Sequence, residues 1–167
     1  MEEARYRAGR EVNGISVRPG RSKEDSVRLL VTGEETQGRF AVIETRERRG
    51  QEPPLHAHGR EDELVHVLEG EVTFHKDGQR LACPAGTSVL LPAGSEHTYR
   101  VESQEARLLV VLAPPGLEGL YSELRGDGES PDAERLITAS ARYGVEIMGP
   151  APTDDRASDF DVTDQRG

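Results

Sequence analysis

The chain has 167 residues, of which 34% are hydrophobic, 31% charged and only 4% aromatic, with 18 glycines, 10 prolines and no tryptophan. That length supports one domain with its own core, and the turn-rich composition favours many short elements over a few long helices. Thirty-one acidic against 21 basic residues leave a net charge of −10 with no basic patch, which argues against nucleic acid and anionic membrane surfaces as partners.

The opening residues Met1-Glu2-Glu3-Ala4-Arg5 carry no apolar run that could serve as a signal peptide, and no stretch is apolar enough to span a bilayer. A soluble, cytoplasmic protein is expected. Residues 1–27 are weakly patterned and form an N-terminal segment able to contribute an edge strand or two. From residue 28 a β pattern takes over. The segments Arg28–Thr32, Arg39–Thr45, Glu63–Glu69, Glu71–Lys76, Gln79–Ala82, Thr87–Leu91, His97–Val101 and Arg107–Ala113 are short, rich in Val, Leu and Thr, and separated by Gly, Pro or Asp-Gly. Asp77-Gly78 lies between two of them, the signal for a two-residue hairpin whose central residues both need positive φ. Eight such strands predict an all-β sandwich or small barrel over residues 28–115.

The period changes after Pro114-Pro115. Leu117, Leu120, Tyr121 and Leu124 fall at i, i+3, i+4 and i+7, one face of a short helix suited to packing or to a dimer contact. A second helix follows, with Ser130 as its expected cap, Pro131 at its first position and Gly144 at its end, and with Leu136, Ile137, Ser140 and Tyr143 on its apolar face. Residues 116–150 thus make a helical extension. The stretch 151–167 carries five Asp against two Arg and little apolar content, so an acidic, disordered tail is expected there.

All five histidines, His56, His58, His66, His75 and His97, fall between residues 56 and 97. The lone cysteine, Cys83, allows neither an internal disulfide nor a thiolate zinc cluster and reads as a small buried side chain, so any metal is held by nitrogen and oxygen. In an extended segment, residues i and i+2 share a face, so His56 and His58 can converge on one point. Glu63 opens the next strand and His97 follows the turn Pro92-Ala93-Gly94. Three imidazoles and a carboxylate suit one divalent transition metal ion, whether Fe, Mn, Ni, Co, Cu or Zn, and leave positions open for catalysis. Strand parity puts Val65 and Val67 on the face of Glu63 and sends His66 outward. It places Tyr99 on the face of His97, and it leaves His75, alternating against Phe74, exposed to solvent. Tyr99, Phe74 and Phe40 suit core or pocket equally.

These residues resemble the cupin superfamily. Its first motif, G-x5-H-x-H-x3-4-E-x6-G, is met by Gly50, His56, His58, Glu63 and Gly70; its second, G-x5-P-x-G-x2-H-x3-N, is met by Gly86, Pro92, Gly94 and His97, with Val101 in place of the final Asn. The run Thr32–Phe40, the stretch Pro53–Glu63, and Ala113–Tyr121 leading to Ala141–Glu146 are similar to bacterial single-domain cupins of the quercetin 2,3-dioxygenase-like group. The resemblance implies a jelly-roll β-barrel with the metal inside one end, held by His56, His58, Glu63 and His97. The substituted Asn is not a ligand in the family pattern, so Val101 bears on local turn structure.

The resemblance further implies a metal-dependent dioxygenase that cleaves a flavonol-like or other enolic small molecule with O2. Glu63 is then both ligand and catalytic base, taking the proton of an acidic hydroxyl beside a carbonyl before dioxygen adds to the enolate. Val65, Val67, Phe74 and Tyr99 are the expected substrate pocket. A non-oxidative cupin enzyme, such as an isomerase or polyketide-type cyclase, and a metal-dependent binding protein without catalysis remain open alternatives. Cupins are commonly dimers, so a homodimer is expected.

Overall fold

The computed structural model describes residues 10–12, 15–17, 26–125, 131–152 and 158–161. Its elements, in chain order, are β1 (Arg10–Val12), β2 (Ile15–Val17), β3 (Val27–Val31), β4 (Ala41–Arg48), β5 (Leu55–His58), β6 (Asp62–Glu69), β7 (Glu71–Lys76), β8 (Gln79–Pro84), β9 (Ser88–Leu91), β10 (His97–Val101), β11 (Glu105–Ala113), α1 (Glu118–Arg125), α2 (Ala133–Arg142), β12 (Val145–Gly149) and β13 (Ser158–Asp161). The eight predicted segments all become strands, with ends shifted by a few residues at most. Asp77 and Gly78 take φ of 48° and 77°, as the predicted hairpin requires.

Two main sheets form, in the strand orders β12-β5-β10-β7-β8-β13 and β3-β4-β11-β6-β9. From β4 to β11 the chain changes sheet at every connection except the β7–β8 hairpin. That is the topology of a jelly roll, in which one core is enclosed by strands contributed alternately to two walls. Period-two burial explains why the walls face each other. Along β11, Ala106, Leu108, Val110 and Leu112 are buried while their neighbours are not, and along β6 the buried set is Glu63, Val65 and Val67. Buried apolar residues of both sheets, with Leu117 just before α1, Leu120 of α1 and Ala139 of α2, belong to one core cluster.

Four sequence expectations need correction. The N-terminal strands β1 and β2 pair with each other in a separate two-stranded sheet, and neither borders the barrel sheets. The acidic stretch 151–167 is not wholly without structure, because β13 pairs in parallel with β8 at the sheet edge. Helix α2 is capped by Asp132, whose carboxylate accepts from Arg135 N at 2.8 Å; the expected cap, Ser130, lies outside the described residues. His75 is buried rather than solvent-exposed. Val72, Thr73, Phe74 and His75 are all buried in succession, so both faces of β7 are covered and alternation there does not separate inside from outside.

Val101 fills the position of the missing motif Asn as a core residue, 1% exposed. Its backbone N–H donates to Glu52 Oε1 at 3.0 Å and its carbonyl accepts from Arg49 Nε at 3.2 Å, so side chains of the segment preceding β5 secure this end of β10.

Candidate metal centre

Strands β5 and β10 are antiparallel neighbours, and His97 sits directly opposite His56. His58, two residues on, shares the inward face, and the next inward residue of the opposite wall is Glu63 on β6. The ring centroids lie 4.5 Å apart for His56 and His97, 4.8 Å for His58 and His97, and 6.0 Å for His56 and His58. One ring nitrogen from each lies within 4.8 Å of the other two.

The backbone decides which nitrogen that is. His56 Nδ1 donates to Pro54 O at 2.8 Å, His58 Nδ1 to Glu61 O at 3.0 Å, and His97 Nδ1 to Ser95 O at 2.9 Å. A carbonyl only accepts, so each Nδ1 carries the proton and each Nε2 keeps a lone pair for the common centre. Holding an imidazole by its far nitrogen is how metal sites fix ring orientation and tautomer.

Glu63 lies against this trio and is 6% exposed. Its Oε2 is 2.9 Å from His58 Nε2 and 3.7 Å from His97 Nε2. With Nδ1–H already donated, the His58 contact is favourable only if Nε2 holds a second proton or if a cation serves both lone pairs. His97 Nε2 is buried with no hydrogen-bond partner among the described residues. Three nitrogen lone pairs, one of them orphaned, and a carboxylate make a donor set that fits a first-row divalent ion.

Electrostatics follow from the same geometry. Burial pushes the Glu63 carboxyl up, but the hydrogen bond from His58, with the nearby charge of His58 and His97, outweighs it and holds the group well below the usual carboxylate range. Burial lowers His58, yet the Glu63 hydrogen bond and charge overcome it, and the net shift is upward. His56 is lowered to about 4, chiefly by burial and next by repulsion from His97, so its ring is neutral at ordinary pH.

The cluster opens into a pocket with a cavity volume of ≈ 100 Å³. Of the residues expected to line it, Val65, Phe74 and Tyr99 do. Val67 does not: it faces inward as parity requires but lies one step further along β6, 0% exposed in the core. Phe40 is neither core nor pocket and is 37% exposed. His66 points outward to Ser88 Oγ at 2.8 Å, and Cys83 is buried, its thiol pushed up to about 11 by desolvation. The pocket residues missed from the sequence include Pro53, Pro54 and Leu91 of the barrel, Val145 and Ile147 of β12, and a larger group in the helical extension. Leu117, Leu120, Tyr121 and Leu124 all line the pocket, as do Leu136 and Ser140, while Ile137 of the expected face is exposed. The stripe was legible as a helix face, but helical period does not say what a face covers. Tyr121 reaches furthest, with its hydroxyl donating to Glu63 Oε1 at 3.2 Å.

The cupin-domain family model matches residues 43–112, which include all four residues of the cluster. The chain is 29% identical over 97 residues to quercetin 2,3-dioxygenase of Bacillus subtilis strain 168, a match covering 58% of this chain and 29% of that protein. It is 30% identical over 129 residues to the protein named "Probable oxidoreductase virH" of Hypocrea virens, covering 65% of this chain and 59% of that one. The chain therefore spans less than two thirds of the length of either curated relative. Among solved structures, a predicted oxalate decarboxylase of Thermotoga maritima superposes with a TM-score of 0.50 at 22% identity, over 53% of this chain and 78% of that one, which shows a shared fold.

Proposed function

We propose that this chain, whose residues 43–112 match the cupin domain, is a metal-dependent enzyme of the quercetinase-like type, a dioxygenase acting on a flavonol-like or other enolic small molecule. The observation that carries this reading is the convergence of His56, His58 and His97, each tethered by Nδ1, on a point beside Glu63 within an apolar pocket. The three Nε2 atoms and Glu63 would hold a divalent ion there, which would supply a Lewis acid for an enolate oxygen.

The protein's own groups do the rest. One Glu63 oxygen faces the histidines and the other, Oε1, accepts from Tyr121 beside the pocket and keeps a second lone pair, so Glu63 can accept the proton of an enolic hydroxyl. Phe74 and Tyr99, with ring centroids 5.6 Å apart, and the leucines of α1 offer apolar contact to a planar ligand and keep water from it. Among the described residues no lysine or arginine lines the pocket, so beyond the ion itself a carboxylated or phosphorylated substrate finds no ammonium or guanidinium partner. That favours an uncharged enol, and the two relatives named as oxidoreductases favour oxygen chemistry over isomerisation.

The test is metal analysis of protein purified without an affinity tag, followed by oxygen-electrode assays with enolic substrates. O2 uptake that disappears in Glu63→Gln while metal is retained supports the reading. Turnover under anaerobic conditions, with zinc bound, contradicts it and points to the isomerase or cyclase.

A further inference from the structure

The helical extension reaches the candidate metal centre through a polar contact. Helix α1 lies outside the barrel strands, yet its Tyr121 hydroxyl reaches 3.2 Å from Glu63 Oε1 across 58 residues of sequence. The same carboxylate faces His58 and His97 with its other oxygen, Oε2. Glu63 is thus held from both sides, one oxygen toward the imidazole cluster and the other toward a donor on the helix.

We propose that Tyr121 is a positioning residue for Glu63: its hydroxyl engages Oε1 and so commits the carboxylate to meet a metal ion through Oε2 alone. This rests on the metal-binding reading above and adds to it that the coordination mode is set from outside the barrel. A carboxylate free to rotate can offer both oxygens to one ion, and a donor on Oε1 opposes that. The placement of Tyr121 is itself fixed by packing. Leu117, just before α1, and Leu120 within it are buried in the core, and Gly119 lies so close to the Tyr143 ring that a Cβ there meets Tyr143 Cε1 at 2.7 Å. Tyr143, at the C-terminal end of α2, therefore backs α1 where Tyr121 projects.

Cobalt(II) is a suitable probe, because its visible d–d bands strengthen and shift as coordination number falls. Full-length wild type, Tyr121→Phe, Glu63→Gln and the double variant are loaded with Co(II), and spectra and affinities are recorded, with circular dichroism confirming that each is folded. The expected result is that Tyr121→Phe binds Co(II) within about tenfold of wild type but with weaker, displaced d–d bands, and that the same substitution changes nothing in the Glu63→Gln background. Superimposable wild-type and Tyr121→Phe spectra overturn the proposal. So does a Tyr121→Phe change that persists undiminished with Gln at position 63, since the tyrosine then acts by packing. Wild type that binds no Co(II) and gives no d–d spectrum overturns the metal reading itself, and this inference falls with it.

Discussion

The outer and deeper halves of the barrel are built from the same strands and differ by one step of the pleat. On β6 the inward residues run Glu63, Val65, Val67; on β10 they run His97, Tyr99, Val101; on β7, Phe74 is followed inward by Val72. The first two inward positions of β6 and β10 line the pocket, as does Phe74, whereas Val67, Val101 and Val72 are sealed in the core at 0–1% exposure. Two residues of strand, about 7 Å, separate a place where polar groups converge from one where only packing counts. The deeper half makes the barrel rigid, and the outer half can then hold three imidazoles and a carboxylate in register.

That contrast can be broken most sharply at the imidazoles. Replacing His56, His58 or His97 by Ala is expected to lower metal affinity by more than the roughly 10–100-fold typical of changes behind the ligands, with little change in melting temperature of the metal-free protein, as isothermal titration and a thermal scan will show. Glu63→Gln keeps the shape and removes the base; turnover is expected to fall by about 10²–10⁴ while bound metal remains measurable. A substitution in the deeper half has the opposite signature. Leu108→Ala empties a site 1% exposed on β11 and is expected to cost about 2–5 kcal/mol in denaturant unfolding, leaving metal stoichiometry of the folded protein unchanged.

Smaller effects sharpen the picture. Metal must displace the proton that His58, raised by Glu63, holds in the metal-free pair, whereas His56 at about 4 offers no competition near neutrality. Apparent metal affinity should therefore fall as pH drops below the His58 pKa, with release of about one proton per ion, and flatten above it. A pH-independent affinity across that range would mean that the His58–Glu63 pair is not the binding site. The least effect is expected from Asp132→Ala, which removes the α2 cap at about 1 kcal/mol and loosens the helices over the pocket without touching a ligand.

The same contrast explains what the sequence made legible. Parity along β6 and β10 identified the inward face, and the spacing of His56, His58, Glu63 and His97 brought together the cluster that the fold assembles, because each lies on or beside a strand whose neighbours alternate cleanly. Parity does not measure depth, so Val67 was grouped with Val65 although it lies beyond the pocket. Nor does it register a strand covered on both faces, which is why His75 was misplaced. Tyr121 was visible only as part of a helical stripe. Its contact with Glu63 depends on where α1 docks, and that is set by tertiary packing of Leu117, Leu120 and Gly119 against the barrel and Tyr143, with no local pattern to announce it.

The central claim is that His56, His58, His97 and Glu63 hold one divalent metal ion. Metal content of tag-free protein, measured before and after incubation with Mn, Fe, Co, Ni, Cu and Zn, tests it most directly. The account predicts about one ion per chain for wild type and near none for His56→Ala or His97→Ala. A substoichiometric content that no added ion raises, with His56→Ala indistinguishable from wild type, would contradict it.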